Sequence, residues 1–386
     1  MQTLAAALSP ALDPKDLADG GKRRIEWAFH SMPVLQNIRK QFIKAQFLDG
    51  FKVAVHQPLT AATANLCIML RDAGGKIFVL APEPEEDVAA SLQRDWGIQV
   101  LATRPEILEQ QPVLLLDTGA ELISDGHAAF GAVEITAAGA TRAAQLDLQI
   151  PVLAVAGSLT SRLFVDKFGA GQAVTDALLR LTGSLLAGSN VLIAGFGPRG
   201  RGIAARVRGL GAQVMVAESD PVHALEAVLD GYRVTSMVEG SSLADIIVTA
   251  SGTRSVLGRD IFEKLKSGSI LANAGEVAGE IDLEGLARVV SSRRAAGPHV
   301  EECTLRDGRR IHLLNGGRPL QSLVPEPAAM LELKLAAQAL AVEYVVRHRE
   351  TLDPKIHFLP DDIDRQIARM KLESMSITVD RMGSCL

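Results

Sequence analysis

A short apolar run, Val191 to Ala194, leads into Gly195, Gly197 and Gly200; a helical segment, Arg201 to Leu210, follows, and a second apolar run, Gln213 to Ala217, ends at Glu218. Strand, spaced glycines, helix, strand and acid in that order fit one local fold, the opening βαβ unit of a dinucleotide-binding sheet. Gly195 permits the tight turn, Gly197 lets the backbone around Pro198 and Arg199 approach a pyrophosphate, and Gly200 lets the helix pack on the strand. The helix N-terminus then faces the anion. Glu218 lies about 20 residues after the first glycine, where an acid meets the adenosine ribose hydroxyls. Its charge would repel a 2′-phosphate, so NAD is expected rather than NADP. The alternative is a glycine-rich strand-to-helix turn that holds no ligand.

Composition narrows the partners. The chain has 386 residues, enough for two domains with full cores, and 47% hydrophobic against 22% charged residues is ordinary for a globular protein. A net charge of −5 with no basic stripe argues against nucleic acid, and 4% aromatics leave few stacking platforms. No apolar run approaches the roughly 20 residues that span a bilayer. The N-terminus lacks the basic start of a signal peptide. Cys67, Cys303 and Cys385 are too few and scattered for a disulfide framework or a zinc site. A cytoplasmic protein is expected, without membrane or nucleic-acid partners and with no metal.

Short runs rich in branched residues at Lys52–Val55, Lys76–Leu80, Ile98–Leu101, Val113–Leu116 and Val152–Val155 alternate with helical stretches such as Ala61–Ala73 and Glu86–Trp96. That alternation predicts an α/β fold with a doubly wound parallel sheet. A long helix from Ala170 to Leu186 leads into the dinucleotide unit, and strand signals recur at Ile246–Ala250, Ile270–Ala272 and Arg288–Val290. After Pro325 and Pro327, Ala328–Arg347 is strongly periodic. The expected organisation is a first α/β domain over 1–160, a Rossmann domain over 170–325 inserted into it, returning helices over 328–365 and a tail over 366–386. Linkers near 157–172 and 322–328 would leave a cleft between the domains, cofactor on one wall and substrate on the other.

Longer segments carry a family resemblance. Gly-Phe-Gly-Pro-Arg-Gly-Arg-Gly (195–202), Glu-Ser-Asp-Pro-Val-His-Ala-Leu-Glu-Ala (218–227), Gly-Tyr-Arg-Val-Thr-Ser-Met (231–237), Leu-Arg-Asp-Gly-Arg-Arg-Ile (305–311) and His-Phe-Leu-Pro (357–360) resemble S-adenosylhomocysteine hydrolases, as do Val-Glu-Ile-Thr-Ala-Ala-Gly (133–139) and Pro-Val-Leu-Ala-Val (151–155). The resemblance runs along nearly the whole chain and implies the family's two-domain fold with bound NAD. It also implies that family's chemistry: oxidation of a ribose 3′-hydroxyl, removal of the C4′ proton, loss of homocysteine, addition of water and return of the hydride. It further implies a homo-oligomer.

Set beside the family without gaps, most of the chemical groups are replaced. The family's histidine after its first strand falls on Pro58, and the glutamate that reads adenine falls on Ala62. Its paired aspartates become Asp117 and Thr118, and its paired glutamates Glu134 and Ile135, the catalytic member being lost each time. Its lysine becomes Ser161, the following aspartate Val165, the next asparagine Asp166 and a cysteine Ala170. Its histidine in Asn-Ile-Gly-His becomes Glu276. With Thr60, the residues Pro58, Thr118, Glu134, Ile135, Ser161, Val165 and Ala170 make the expected substrate pocket, now partly apolar. Loss of one general base costs about 10²–10⁴ in rate, so hydrolysis by the family route is not expected. On the cofactor side Thr136 is kept, two threonines become Ala137 and Ala138, and an asparagine becomes His223. Together with Ser219, Ser251 and Asn273 these complete the expected contacts to NAD or NADH. The family's C-terminal lysine and tyrosine have no counterpart before Leu386, so NAD is expected to be held weakly or as a structural element.

Asp166, Glu276 and His56 are the remaining candidates for acid–base work. His56 sits at the end of the first strand, where βα loops reach the crevice of a doubly wound fold. Each has a plainer reading: Asp166 as the cap of a helix starting near Lys167, Glu276 as a solvent-facing carboxylate, His56 as a packing residue. Arg142 and Arg162 read most simply as surface charges, and Asp117 and Glu134 as structural acids. Three functions follow: a repurposed enzyme acting on a less polar small molecule in specialised metabolism; a non-catalytic binder of NAD or an adenosyl ligand; and an unorthodox hydrolase of S-adenosylhomocysteine.

Overall fold

The computed structural model describes residues 14–81, 83–125, 129–275, 279–324 and 327–379. Along the chain the strands are β1 (Lys52–His56), β2 (Lys76–Leu80), β3 (Gln99–Leu101), β4 (Leu114–Asp117), β5 (Gly131–Glu134), β6 (Val152–Ala154), β7 (Asn190–Ala194), β8 (Gln213–Ala217), β9 (Arg233–Val234), β10 (Ile246–Thr249), β11 (Ile270–Asn273), β12 (Val290–Gly297), β13 (Val300–Leu305), β14 (Arg310–Leu314) and β15 (Ile356–Phe358). The chain divides into two compact units, Met1–Ser161 with Leu331–Leu386, and Arg162–Met330.

The first unit is a seven-stranded sheet in the order β15-β6-β5-β4-β1-β2-β3, parallel throughout. Its central strands are unbroken apolar runs, Val53–Val55 and Leu114–Leu116, wholly buried because crossover helices cover both faces of a parallel sheet. From β1 the chain winds outward in two directions, through β2 and β3 on one side and β4 to β6 on the other. The order therefore reverses between β1 and β4. The helix expected over Ala61–Ala73 begins only at Ala64. Thr60 and Thr63 form a reciprocal pair ahead of it, each backbone N–H donating to the other's hydroxyl at 2.9 and 3.3 Å.

Two buried acids tie distant parts of this unit together. Glu332, on the helix Ala328–His348, accepts from the N–H groups of Val34 (2.5 Å) and Leu35 (3.3 Å), which open the helix Pro33–Ala45. Lys371 Nζ donates to its other oxygen at 2.6 Å. Asp364 accepts from the N–H of Leu159 and from the N–H and hydroxyl of Thr160. Both contacts depend on the helix Asp361–Ser374, so the tail expected from 366 is helical as far as Ser374 and docks through buried Ile367. Burial dominates at Glu332 and raises its pKa in spite of Lys371. Replacing Lys371 by methionine should cost about 3 kcal/mol, because a buried carboxylate loses its counter-cation. The raised acid contributes stability below the ordinary glutamate value and loses it as pH rises through the folded value. The variant, with its acid raised further, should therefore close part of the gap to wild type between pH 7 and 5 in urea unfolding.

The second unit has eight strands in the order β12-β13-β14-β11-β10-β7-β8-β9. Strands β7 to β11 and β14 pair in parallel, whereas β12, β13 and β14 form an antiparallel extension. This extension differs from the sequence expectation. Arg288 lies in the last turn of the helix Leu283–Val289, and the strand begins at Val290. Neighbouring residues of β12 and β13 carry the cross-strand ion pairs Arg293–Glu301 and Arg294–Glu302, while Cys303, Leu305, Ile311 and Leu313 fill the core. Charged pairing along the exposed β12 breaks the apolar runs that mark a buried strand. The long helix expected from Ala170 to Leu186 is shorter than expected. A π-helical stretch, Ser161–Ala170, precedes the α-helix Gly171–Thr182, which stops at Gly183 with φ +61°.

Candidate functional site

In the second unit the order of the sheet reverses between β7 and β10, and the carboxyl ends of these strands meet closely. Gly195 has φ +102°, and a Cβ there would stand 2.7 Å from the Ala250 carbonyl oxygen. At Gly200 it would stand 2.0 Å from the Gly195 oxygen, so both glycines are required by backbone packing. Gly197 is different: nothing lies within 4 Å of its Cβ position, and it caps the helix Pro198–Gly209, with Pro198 in the first turn. The helix begins three positions ahead of the expected Arg201 because proline fits the start of a helix. Open space, N–H groups of a first turn and a required tight turn are the features a diphosphate needs.

Glu218 follows β8 and accepts from the backbone N–H groups of Phe196 (2.6 Å), Ser219 (2.6 Å) and Asp220 (2.9 Å). Partial burial alone would raise its pKa, but these three donors and nearby His223 hold it below the usual value. It is thus a fixed anion next to the glycine turn. His223 lies on the helix Pro221–Leu229, its N–H taken by the cap residue Asp220 at 3.2 Å.

Other residues expected around the cofactor are spent on protein partners. The Asn273 side chain is fully buried, accepting from Gly275 N–H (2.8 Å) and the Thr249 hydroxyl (3.3 Å) and donating to the Gly317 carbonyl (3.0 Å). Ser251 donates through its N–H and hydroxyl to Glu280 at 3.1 and 3.2 Å, and Gly252 N–H donates to the same acid at 2.8 Å. Glu280 is wholly buried, and a Cβ at Gly275 would strike it at 1.7 Å. A lone glutamate after Gly279 gives no sequence sign of this role.

Asp166 does not cap a helix near Lys167. It lies within the π-helical stretch, and its carboxylate pairs with Arg199 Nη2 at 3.1 Å, whose Nη1 donates to the Ala274 carbonyl at 3.1 Å. Val165 and Ala170 of the same stretch are buried. Glu276 lies outside the described residues.

In the first unit, His56, Thr118, Glu134, Ile135 and Thr136 gather at the carboxyl ends of β1, β4 and β5. Asp117 organises them. Its Oδ1 accepts from Thr118 N–H (2.8 Å) and pairs with His56 Nδ1 (2.9 Å), and its Oδ2 accepts from the N–H groups of Leu122 (2.8 Å) and Ile123 (2.9 Å). The Thr118 hydroxyl donates to the His56 carbonyl at 2.7 Å. Glu134 is the second organiser, taking N–H donors from Gly119, Ala120 and Thr136 and the Thr136 hydroxyl. Thr136 also caps the helix Ala137–Ala143, so its hydroxyl is fully occupied. Arg142 reaches the Gly119 carbonyl at 3.3 Å. Ile135 is buried, Pro58 is exposed with its carbonyl held by Thr63, and Ser161 is buried beside Ser158. Of the residues expected to make the substrate pocket, Val165 and Ala170 belong to the second unit and the rest to the first. Among the described residues no His, Cys, Asp and Glu cluster suits a metal, and no helix is long and apolar enough to cross a membrane.

The fold and the glycine turn define an α/β protein with a dinucleotide-binding unit. Residues 166–324 match the NAD binding domain of S-adenosyl-L-homocysteine hydrolase. The chain is 38% identical to the adenosylhomocysteinase of Aquifex aeolicus, covering 96% of both chains, and 38% identical to that of Pyrococcus abyssi, covering 95% of this chain and 93% of the relative. The Gloeobacter violaceus enzyme is 36% identical, with 95% and 92% covered. The chain belongs to the S-adenosylhomocysteine hydrolase family.

Proposed function

We propose that this protein is an NAD-dependent enzyme of the family that acts on a small molecule less polar than S-adenosylhomocysteine. The observation that carries the reading is how Asp117 and Glu134 are used. Each is wholly buried and occupied by partners within the first unit, backbone N–H groups together with the His56 ring at Asp117 and the Thr136 hydroxyl at Glu134, and their neighbours Thr118 and Ile135 do not ionise. Neither retained acid is left to work on a ribose. Buried Ile135 favours a ligand with few hydroxyls, since an unpaired donor there would be costly.

The turn at Gly195–Gly200 would take the pyrophosphate of NAD, and Glu218 the adenosine ribose hydroxyls. When bound, NAD supplies a hydride acceptor. The chain's own part is to hold Glu218 ionised and fixed, which favours NAD over a 2′-phosphorylated dinucleotide. Self-association fits the helix Pro221–Leu229, whose Val222, Leu225 and Leu229 are exposed. The lack of a spanning helix among the described residues suits a cytoplasmic protein.

The test is mass spectrometry of the small molecule freed on denaturing the purified protein, followed by titration with NAD and NADP. Stoichiometric NAD or NADH is expected. An empty protein that also fails to take up NAD sinks the proposal. Glu218→Ala should weaken NAD binding about 10-fold or more, the worth of hydrogen bonds to a charged group, and narrow the preference over NADP. A second reading, a hydrolase of S-adenosylhomocysteine with a substitute base, is favoured by 38% identity over nearly the whole chain. Homocysteine release from S-adenosylhomocysteine at a rate typical of an enzyme would select it instead.

A further inference from the structure

We propose that His56, held by Asp117, is the proton acceptor of the first unit, and that its Nε2 takes a proton from a hydroxyl of the bound small molecule. Ligands of open α/β sheets bind outside the carboxyl ends of the strands where the order reverses. In the first unit that point lies between β1 and β4. His56 is the last residue of β1 and Asp117 the last of β4, so the pair spans the reversal.

The tautomer follows from the partner. A carboxylate only accepts, so the contact of 2.9 Å requires the proton on Nδ1. The lone pair is then on Nε2. That nitrogen has no protein partner among the described residues, and the side chain keeps 14% of its surface open. Asp117 cannot turn away, because Thr118, Leu122 and Ile123 N–H groups fix both of its oxygens. A buried, immobile acid that orients an imidazole and stabilises its cation is the arrangement by which histidine works as a base. The next residue adds a second sign of a ligand. Gln57 is 4% exposed and its amide nitrogen has no partner, a cost of about 1–3 kcal/mol that a ligand acceptor would remove.

In the step itself the substrate O–H bond breaks, its electron pair stays on oxygen, and an N–H bond forms at Nε2. The resulting imidazolium is held by Asp117. The inference rests on the enzymatic reading above for the existence of a substrate.

The test needs no substrate. Diethyl pyrocarbonate attacks an unprotonated, reachable imidazole nitrogen, and peptide mapping locates it. His56 should be modified at Nε2 at least as fast as exposed His348, whose Nδ1 faces the Tyr344 carbonyl. In Asp117→Asn the amide can donate to Nδ1, which moves the proton to Nε2, and modification should slow at least 10-fold. Nitrogen-15 NMR of the unmutated protein supplies a readout independent of that variant's folding: His56 should show a protonated Nδ1 and a bare Nε2. A proton on Nε2, or a His56 inert to the reagent in the folded protein, would overturn the assignment. Both readouts are taken with or without NAD, so their failure leaves the dinucleotide reading standing.

Discussion

Gly200→Val is expected to abolish NAD retention and to destabilise the second unit by about 3 kcal/mol or more. The reason is geometric. The added Cβ would lie 2.0 Å from the Gly195 carbonyl oxygen and 3.5 Å from Ile193 Cγ2, so the helix must lift off β7. Lifting it also removes the first-turn N–H groups from the anion site. At about 2–4 °C per kcal/mol the melting temperature should fall by roughly 6–12 °C. Gly197→Ala is the matched control, because its Cβ meets nothing and its φ of −63° suits any residue. It should melt within about 3 °C of wild type while still weakening NAD, since the methyl enters the space left for ligand. Scanning fluorimetry with and without NAD separates the two. If Gly200→Val melts like wild type, the close packing of helix on strand is wrong.

Glu134→Gln should be the most damaging near-isosteric change in the first unit, costing about 3 kcal/mol. One carboxylate oxygen takes Thr136 N–H (2.8 Å), the Thr136 hydroxyl (2.6 Å) and Gly119 N–H (3.1 Å), and the other takes Ala120 N–H (2.8 Å). An amide must set its own N–H₂ against one of these donors. Nor can the surroundings relax: a Cβ on Gly139 would already lie 2.2 Å from the Glu134 carboxyl. The pH dependence gives a second check. Burial, chiefly, and the charge of Asp117 raise the Glu134 pKa, and the Thr136 and Ala120 hydrogen bonds only partly oppose this. The native state therefore binds this proton more tightly than the unfolded chain. That contribution is full below the ordinary glutamate value and fades as pH rises through the folded one. Glutamine has no proton to gain, so the deficit of the variant should widen from pH 7 to 5. A deficit that shrinks over that range would contradict a raised Glu134.

The parts legible in the sequence are those whose causes are local. Gly195, Gly197, Gly200 and Glu218 lie within one strand–turn–helix–strand unit, and the short apolar runs of β1, β2, β4 and β6 follow from burial on both faces. What stayed hidden depends on partners far along the chain. Glu332 caps Val34 and Leu35, Asp364 holds Leu159 and Thr160, and Glu280 holds Ser251 and Gly252. Alone, each of these acids looks like a solvent-facing charge. The His56–Asp117 pair was half legible: both residues drew notice, but only the sheet order brings the ends of β1 and β4 together. Asp166 misled because an acid before a helical run suggests a cap, whereas Arg199 claims it.

Each unit also carries a built-in sensor of its own opening. Cys67 lies wholly buried in the first unit, and its surroundings push the thiol up to about 12; Cys303 is sealed in the core of the second, and burial raises it too. A protonated, enclosed sulfur does not react until its surroundings come apart. In a Cys385→Ser background, pulsed alkylation would therefore time the exposure of each unit separately within a single molecule, and adding NAD should slow the Cys303 signal more than that of Cys67.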